Sequence, residues 1–216
     1  NMITAAKDAG VKQMVYASSS SVYGSNVDLP KLEDKTGDPL SPYATSKKTN
    51  ELYGKVFKNV YDFNSIGLRY FNIFGPNQSP NGPYAAVIPL YMSALLANKS
   101  GKIFGDGEQS RDFTFVENAV QANIKAMFTQ SEGVYGKVCN IACGEKTSVI
   151  QLYDVLKSAA KATAEAEFCP PRTGDIRDSL ASISRAKEHL GYDPSVNIKD
   201  GLEITLAWFK DTQFNK

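Results

Sequence analysis

Two residues of this chain have the types and the spacing that proton transfer needs. Tyr43 and Lys47 are four residues apart in Ser41-Pro-Tyr-Ala-Thr-Ser-Lys47, so on a helix they lie on one face, about one turn apart. A phenol is a poor base at neutral pH because it ordinarily loses its proton near pH ~10. A neighbouring ammonium stabilises the phenolate, which can then act as a general base. The spacing therefore predicts proton transfer by Tyr43.

A run of four serines, Ser18 to Ser21, follows the hydrophobic segment Met14 to Ala17. This pattern predicts a strand that ends in hydroxyl groups. Pro42 cannot continue a helix backwards, so we expect the helix that carries Tyr43 to begin at a loop. A strand end with hydroxyls opposite a helix start with Tyr and Lys predicts a proton-handling site.

A second Tyr/Lys pair with the same spacing, Tyr153 and Lys157, has a different context. Ile150, Tyr153 and Leu156 recur every three residues, as the buried stripe of a helix does. We therefore interpret Tyr153 as a packing residue.

Strand and helix patterns alternate along the chain, which predicts an α/β fold. Segments rich in Pro and polar residues at 26–42 and 77–84 predict loops. The predicted helices are 2–10, 43–62, 85–98, 116–129, 148–162, 183–190 and 198–209, and the predicted strands are 13–17, 65–71, 102–104, 111–115 and 138–142.

Five motifs occur in a characteristic order: Ser-Ser-Ser-Ser-Val-Tyr-Gly24, Ser-Pro-Tyr-Ala-Thr-Ser-Lys47, Leu-Arg-Tyr-Phe-Asn-Ile-Phe-Gly-Pro76, Gly-Asp-Gly-Glu-Gln-Ser-Arg-Asp-Phe113 and Arg-Thr-Gly-Asp175. In this order they resemble the extended short-chain dehydrogenase/reductases, the NAD-dependent nucleotide-sugar epimerases and dehydratases. The resemblance implies a doubly wound, Rossmann-like parallel sheet with a smaller α/β substrate-binding domain. It assigns 1–76, with a return strand and helix near 111–130, to the NAD-binding domain, and 77–216 mainly to the nucleotide-sugar-binding domain.

The glycine-rich turn of that family does not occur in the 216 residues. A Gly-x-x-Gly-x-x-Gly turn holds the dinucleotide pyrophosphate at a helix N-terminus. We therefore expect the segment to be the C-terminal part of a longer enzyme. By itself it should bind NAD poorly and be inactive.

The resemblance implies catalytic and cofactor-binding roles for Ser19, Tyr43 and Lys47. Tyr43 would take a proton from a sugar hydroxyl, Lys47 would also bind the nicotinamide ribose, and Ser19 would bridge the sugar oxygen and Tyr43. Phe71 would contact nicotinamide through its backbone. By itself a serine such as Ser19 could equally be a turn or cap residue, but alongside Tyr43 and Lys47 the catalytic role is favoured.

The resemblance also identifies substrate-binding residues. Arg111 and Arg172 correspond to diphosphate-binding arginines, although most arginines in such a chain are surface residues. Asp175 would accept hydrogen bonds from ribose hydroxyls. Phe104 would stack on uracil, unless it is a core residue. The remaining candidates for the sugar and nucleotide pocket are Ser20, Ser21, Asn72, Ala86, Val87 and Ser179.

Ser20 and Ser21 bear on the type of reaction, and Ser179 bears on the choice of sugar. Family members that dehydrate or decarboxylate carry a carboxylate at one or both of the positions where this chain has Ser20 and Ser21, so C4 epimerisation is favoured. Ser179 stands where epimerases restricted to UDP-glucose carry a tyrosine, and it leaves room for an N-acetyl group. We expect UDP-GlcNAc/UDP-GalNAc as substrates. UDP-glucose or UDP-glucuronate remain alternatives, as does a non-catalytic fragment that binds a nucleotide sugar.

Composition excludes several other classes. A net charge of +1 without long single-sign runs gives no basis for binding nucleic acid or an anionic membrane, and no apolar run approaches a membrane span. Three cysteines, Cys139, Cys143 and Cys169, form no disulfide framework, which fits a cytoplasmic protein. One histidine, His189, offers neither a metal site nor a catalytic triad. The apolar width of the helix that begins at Tyr43 predicts a homodimer.

Overall fold

The computed structural model describes residues 1–81, 86–171 and 177–214, with side chains up to residue 212. Its helices are α1 Met2–Asp8, α2 Pro42–Tyr61, α3 Val87–Leu96, α4 Val116–Phe128, α5 Val149–Ala160, α6 Ser184–Leu190 and α7 Ile198–Phe209. Its strands are β1 Gln13–Ser19, β2 Asn64–Tyr70, β3 Ile73–Phe74, β4 Lys102–Phe104, β5 Ser110–Arg111, β6 Thr114–Phe115, β7 Lys137–Ile141, β8 Thr147–Ser148 and β9 Glu167–Cys169. The predicted α/β class is confirmed.

The main sheet consists of three parallel strands in the order β1-β2-β7. Ser19 at the end of β1 lies opposite Tyr70, and Leu68 in the middle of β2 lies opposite Cys139 of β7. The central strand β2 is buried from Ser65 to Arg69, as expected of a parallel strand covered on both faces. The family resemblance predicted that a return strand and helix near 111–130 belong to this domain. In the structure α4 packs on the sheet, and the third strand is β7.

The predicted single strand at 111–115 is wrong. The chain forms two short strands there, β5 pairing antiparallel with β8 and β6 pairing parallel with β3. Between them the fully buried Asp112 accepts hydrogen bonds from the backbone N–H groups of Cys143, Gly144 and Ala181 at 3.0, 3.1 and 3.2 Å. The chain passes from one sheet to another at this residue, and the Asp112 carboxylate bonds to two other segments there.

The two largest hydrophobic clusters lie in different parts of the molecule. The smaller cluster supports the main sheet with side chains from β2, β7, α4 and α6, including Ile66, Leu68, Ala122, Ile141 and Leu190. The larger cluster joins α3, α5 and α7. It contains Phe74, Tyr91, Phe113, Leu156 and Phe209. Tyr153 is 1% exposed within it, which confirms its interpretation as a packing residue.

Helix α2 has a well-defined start. Pro42 is its first residue, and the Ser41 hydroxyl accepts the N–H of Ala44 at 3.1 Å, which satisfies one donor that a helix start leaves open. The helix ends at Tyr61, and the next residue, Asp62, takes the left-handed conformation with φ 50°. In the part of the chain that the structure describes, no helix combines the length and hydropathy needed to cross a bilayer.

Candidate active site

The end of β1 and the start of α2 lie next to each other. Lys47 Nζ donates to the carbonyl oxygen of Ala17 at 3.2 Å, and it lies 5.7 Å from the centroid of the Tyr43 ring. The structure thus brings the helix pair to the strand that carries the serines. The side chain of Tyr43 is 56% exposed, so its hydroxyl group is open to a ligand.

Ser19 is the last residue of β1 and precedes a short 3₁₀ helix, Ser20–Tyr23. Its hydroxyl accepts the N–H of Ser21 at 3.2 Å, so Ser19 does cap this helix. A hydroxyl retains a proton to donate while it accepts, so capping leaves Ser19 able to bind a sugar oxygen. Its catalytic role stays a prediction.

The hydroxyl of Ser21 is buried, and it has no hydrogen-bond partner among the residues that the structure describes. A buried hydroxyl without a partner costs free energy, so its position favours a ligand that supplies the missing bond. Ser20 is half-buried beside it. These two serines therefore fit a polar ligand at the end of β1.

A cavity of about 550 Å³ opens beyond the main sheet, between β3, α3, β4 and β5. Its volume suits a ligand of nucleotide-sugar size. Five of the predicted substrate-binding residues line it together: Asn72, Ala86, Val87, Phe104 and Arg111. The structure thus places in one cavity residues that are separated by up to 39 positions in sequence.

The backbone around this cavity fixes Asn72 and Arg111. Asn72 adopts a positive φ of 36°, and its side-chain amide donates to the carbonyl oxygen of Asp112 at 3.1 Å. The guanidinium of Arg111 donates to the carbonyl oxygens of Ser110 at 2.8 Å and Arg177 at 3.4 Å. The Ser110 oxygen also accepts the N–H of Ser179 at 3.1 Å. Ser179 thus lies beside the base of Arg111.

Two predicted substrate residues, Arg172 and Asp175, lie outside the described residues. Phe71 is fully buried, and its ring centroid lies 5.9 Å from that of Tyr23. Its N–H already donates to the carbonyl oxygen of Ile141 at 3.0 Å. Any backbone contact of Phe71 with a cofactor must therefore use another atom.

A group of buried polar residues below α2 was missed by the sequence analysis. Glu51 and Arg69 form a two-bond ion pair at 2.8 and 2.7 Å, and the Arg69 guanidinium lies 4.9 Å from the ring centroid of Tyr23. Burial opposes the charge of Arg69, but its contacts with Glu51 and Tyr23 more than offset this and raise its pKa above the ordinary value. Tyr23 donates to Asn140 Oδ1 at 2.6 Å, and burial raises its pKa to about 12.

Signals for two of these residues were present in the sequence. Arg69 is the one charged residue in the apolar strand that precedes Asn72, and a buried arginine requires an anionic partner. Glu51 follows Lys47 by four residues, on the same helix face. Their pairing depends on how α2 packs on β2, which the local pattern does not determine.

The comparisons with known proteins agree with this fold. The family model of the NAD dependent epimerase/dehydratase family matches residues 1–142. A protein named UDP-glucose 4-epimerase from Mycolicibacterium smegmatis is 38% identical over 208 residues, which cover 96% of this chain and 65% of that protein. The chain belongs to the NAD dependent epimerase/dehydratase family.

Two solved structures are closely similar. The UDP-N-acetylglucosamine 4-epimerase from Methanobrevibacter ruminantium, in complex with UDP-N-acetylmuramic acid, superposes with a TM-score of 0.92 at 37% identity, over 97% of this chain and 66% of that one. The UDP-glucuronic acid 4-epimerase from Bacillus cereus, in complex with UDP-glucuronic acid and NAD, gives a TM-score of 0.87 at 30% identity, over 97% and 65%. The chain spans about two thirds of the length of these relatives.

Proposed function

We propose that this chain carries the proton-transfer residues and the sugar-nucleotide site of an NAD-dependent UDP-sugar 4-epimerase. The observation that supports this most is the cavity, which gathers five residues predicted from family motifs and lies at the end of strand β2. Ligands of doubly wound sheets bind at such strand ends. In this proposal the cavity belongs to a nucleotide-sugar-binding domain formed mainly by 77–216.

In the proposed reaction Tyr43 takes the proton from the C4 hydroxyl of the sugar and later returns it to the opposite epimer. Lys47 stabilises the phenolate, and Ser19 donates a hydrogen bond to the C4 oxygen. NAD, when bound, supplies the hydride acceptor at C4. Ser20 and Ser21 cannot act as carboxylate bases, so the 4-keto sugar is reduced again rather than dehydrated. The exposed Tyr43 and the buried Ser21 hydroxyl, which bonds to none of the described residues, fit a cofactor and sugar at this strand end.

For the sugar we propose an N-acetylated hexosamine, UDP-GlcNAc or UDP-GalNAc. Ser179 is not among the residues that line the cavity, but it lies beside the base of Arg111, which does line it, and the small side chain of a serine fits a larger substituent on the sugar. The similarity to the M. ruminantium protein, named as a UDP-N-acetylglucosamine 4-epimerase, supports the same choice. UDP-glucose and UDP-glucuronate are the alternatives, since relatives named for both sugars match nearly the whole chain.

The function is tested with the full-length gene product, NAD, and UDP-GlcNAc, UDP-glucose and UDP-glucuronate in parallel. Proton NMR of the anomeric region reports the appearance of each galacto epimer. We expect the fastest conversion with UDP-GlcNAc. Accumulation of a 4-keto product would contradict the assignment of Ser20 and Ser21. Binding of a UDP-sugar without any conversion would support a non-catalytic member of the family.

The substrate choice is tested with Ser179→Tyr. A tyrosine there fills the space proposed for the N-acetyl group. We expect kcat/KM for UDP-GlcNAc to fall about tenfold or more, the size of effect that pocket volume gives, while kcat/KM for UDP-glucose changes less than threefold. Ser182→Tyr is the control, since the backbone of Ser182 bonds to Lys31 and Asn140 and Ser182 does not line the cavity. An equal loss on both sugars with Ser179→Tyr would refute the role of this position.

A homodimer through α2 is part of the proposal. Leu52, Tyr53, Val56 and Val60 lie on one face of the helix and are 49–63% exposed, whereas Phe57 is buried against the protein. An apolar stripe of this length is typical of a helix that packs against a partner. Val56→Glu should shift the full-length protein from dimer to monomer in analytical ultracentrifugation, and an unchanged dimer would exclude this face.

A further inference from the structure

The ion pair of Glu51 and Arg69 is almost completely removed from solvent. The side chains are 11% and 4% exposed, and both oxygens of the Glu51 carboxylate accept hydrogen bonds from the guanidinium. The third nitrogen of Arg69 donates to the carbonyl oxygen of Glu33 at 2.9 Å. Burying an ion pair costs desolvation free energy. One function that such a pair can have is to fix the geometry of the groups around it.

Helix α2 has little apolar packing to fix its first half. Of its 20 residues the buried ones are Ala44, Gly54 and Phe57, and Gly54 and Phe57 lie in the second half. At Gly54 the helix approaches β1 so closely that a Cβ would lie 2.7 Å from the Tyr16 hydroxyl oxygen. Between Ala44 and Gly54 the contact with the sheet is made by polar groups.

These polar contacts join α2 to two consecutive residues of β1, Ala17 and Ser18. Lys47 donates to the carbonyl oxygen of Ala17, and one turn further along the helix Glu51 accepts a hydrogen bond from the hydroxyl of Ser18. The next residue is Ser19. Since Tyr43, Lys47 and Glu51 are spaced at four residues, they lie on one side of the helix. The carboxylate therefore connects the helix of Tyr43 to the strand of Ser19 and, through Arg69, to β2.

We propose that Glu51, held by Arg69, is a positioning residue that fixes the distance and angle between Ser19 and the pair Tyr43 and Lys47. This inference rests on the proposed epimerase reaction. Directional hydrogen bonds can fix this geometry, because rotation or sliding of α2 breaks them, whereas apolar contacts tolerate small shifts. A displacement of about 1 Å between reacting groups lowers a rate on the order of 100-fold. Substrate affinity depends on the separate cavity.

The test uses Glu51→Gln in the full-length gene product with NAD. This change keeps the side-chain volume and removes the charge that holds Arg69. We expect kcat to fall about 10- to 100-fold, within the loss that misplacement gives, while KM for the UDP-sugar changes less than threefold. Leu156→Ala is the control, because it weakens the larger hydrophobic cluster, where Leu156 is fully buried. Compared at a temperature where both variants are folded, the control should keep kcat within twofold of the parent protein.

A second measurement does not need activity. Amide hydrogen exchange over 46–54 of α2 should be at least tenfold faster in Glu51→Gln than in the parent protein, and unchanged in Leu156→Ala. If the parent protein epimerises no UDP-sugar, the proposed function fails, and exchange alone decides the positioning role. Unchanged exchange in α2, or a kcat within twofold of the parent protein for Glu51→Gln, overturns the inference. An equal loss of kcat in the control also overturns it.

Discussion

The two halves of the candidate site are supported in different ways. At the end of β1, Ser19, Tyr43 and Lys47 rest on hydrogen bonds and on the buried pair of Glu51 and Arg69. The cavity beyond β3 is backed by the larger hydrophobic cluster, which shares with its lining Phe74, Ile88, Tyr91, Phe113 and Val149. Polar bonds are directional, while apolar packing maintains volume.

This difference matches what each half has to do in the proposed reaction. Proton transfer requires oxygen atoms within hydrogen-bond reach, about 2.6–3.2 Å, so small movements matter. Binding a large nucleotide sugar requires a space of the right size with a few polar groups at its wall. We therefore expect changes at the strand end to lower kcat and changes in the cavity to raise KM. Tyr43→Phe and Arg111→Met test this separation.

The largest effect is expected for Tyr43→Phe. Removing the phenol hydroxyl removes the proton acceptor, and general-base catalysis contributes about 10²–10⁴-fold to a rate. We expect kcat to fall by that factor, with KM within threefold of the parent protein, in the NMR assay of the full-length gene product. Tyr61→Phe is a matched control, because both tyrosines belong to α2 and are similarly exposed, 56% and 55%. A Tyr43→Phe variant with kcat within tenfold of the parent protein would remove Tyr43 from the reaction.

Much of this strand-end region was predictable from sequence. The hydrophobic run before Ser18 predicted β1, although the strand continues two residues further than expected. Pro42 and the Tyr/Lys spacing predicted the start of α2, where the local signals of a helix N-terminus are strong. The ion pair below the helix was missed, because Glu51 and Arg69 are 18 residues apart and belong to different elements. Contacts of this kind depend on tertiary packing.

The cavity region was harder to predict. Its residues were found through family motifs rather than through periodicity, since β3, β5, β6 and β8 are only two residues long. Strands of that length leave no alternating pattern to detect. The same limit explains the wrong prediction of one strand at 111–115. The break at Asp112 depends on backbone N–H groups of loops that are distant in sequence, so the local sequence pattern does not predict it.

A smaller effect, confined to KM, is expected for Arg111→Met. If Arg111 binds the diphosphate, the variant loses a hydrogen bond to a charged group, worth about 1.5–3 kcal/mol, which corresponds to a rise in KM of about 10- to 150-fold. Arg185→Met is the control. Arg185 lies on α6, where it bonds to Asp34 and to the carbonyl oxygen of Val138, away from the cavity. A fall in kcat with unchanged KM in Arg111→Met would contradict the separation of the two halves.

A different effect, on stability rather than on rate, is expected at the junction of the two halves, where Asp112 lies. Burial raises the pKa of Asp112 to about 6, although the backbone N–H groups that bond to it act in the opposite direction. The ordinary value is about 3.9, so between pH ~4 and pH ~6 the folded protein binds more protons than the unfolded chain. The contribution of Asp112 to the free energy of unfolding therefore rises as the pH falls through this window, by up to about 3 kcal/mol.

Asp112→Asn should remove this contribution. In urea unfolding of the full-length protein at pH 4, 5, 6 and 7, we expect the parent protein to gain stability relative to the variant as the pH falls. Asp106→Asn is the control of opposite sign: its bond with Arg177 lowers the pKa of Asp106, so the contribution of Asp106 should stay nearly constant between pH 5 and 7. It is lost only below pH ~4, so a further measurement at pH ~3 should show the parent weakened relative to that variant. A stability difference for Asp112→Asn that is constant with pH would contradict the raised pKa, and one that shrinks as the pH falls would mean that the carboxylate stays ionised in the fold. The backbone N–H donors, rather than burial, would then determine the ionisation state of Asp112. The junction would be stabilised, as the strand end is, by directional bonds to a fully charged carboxylate.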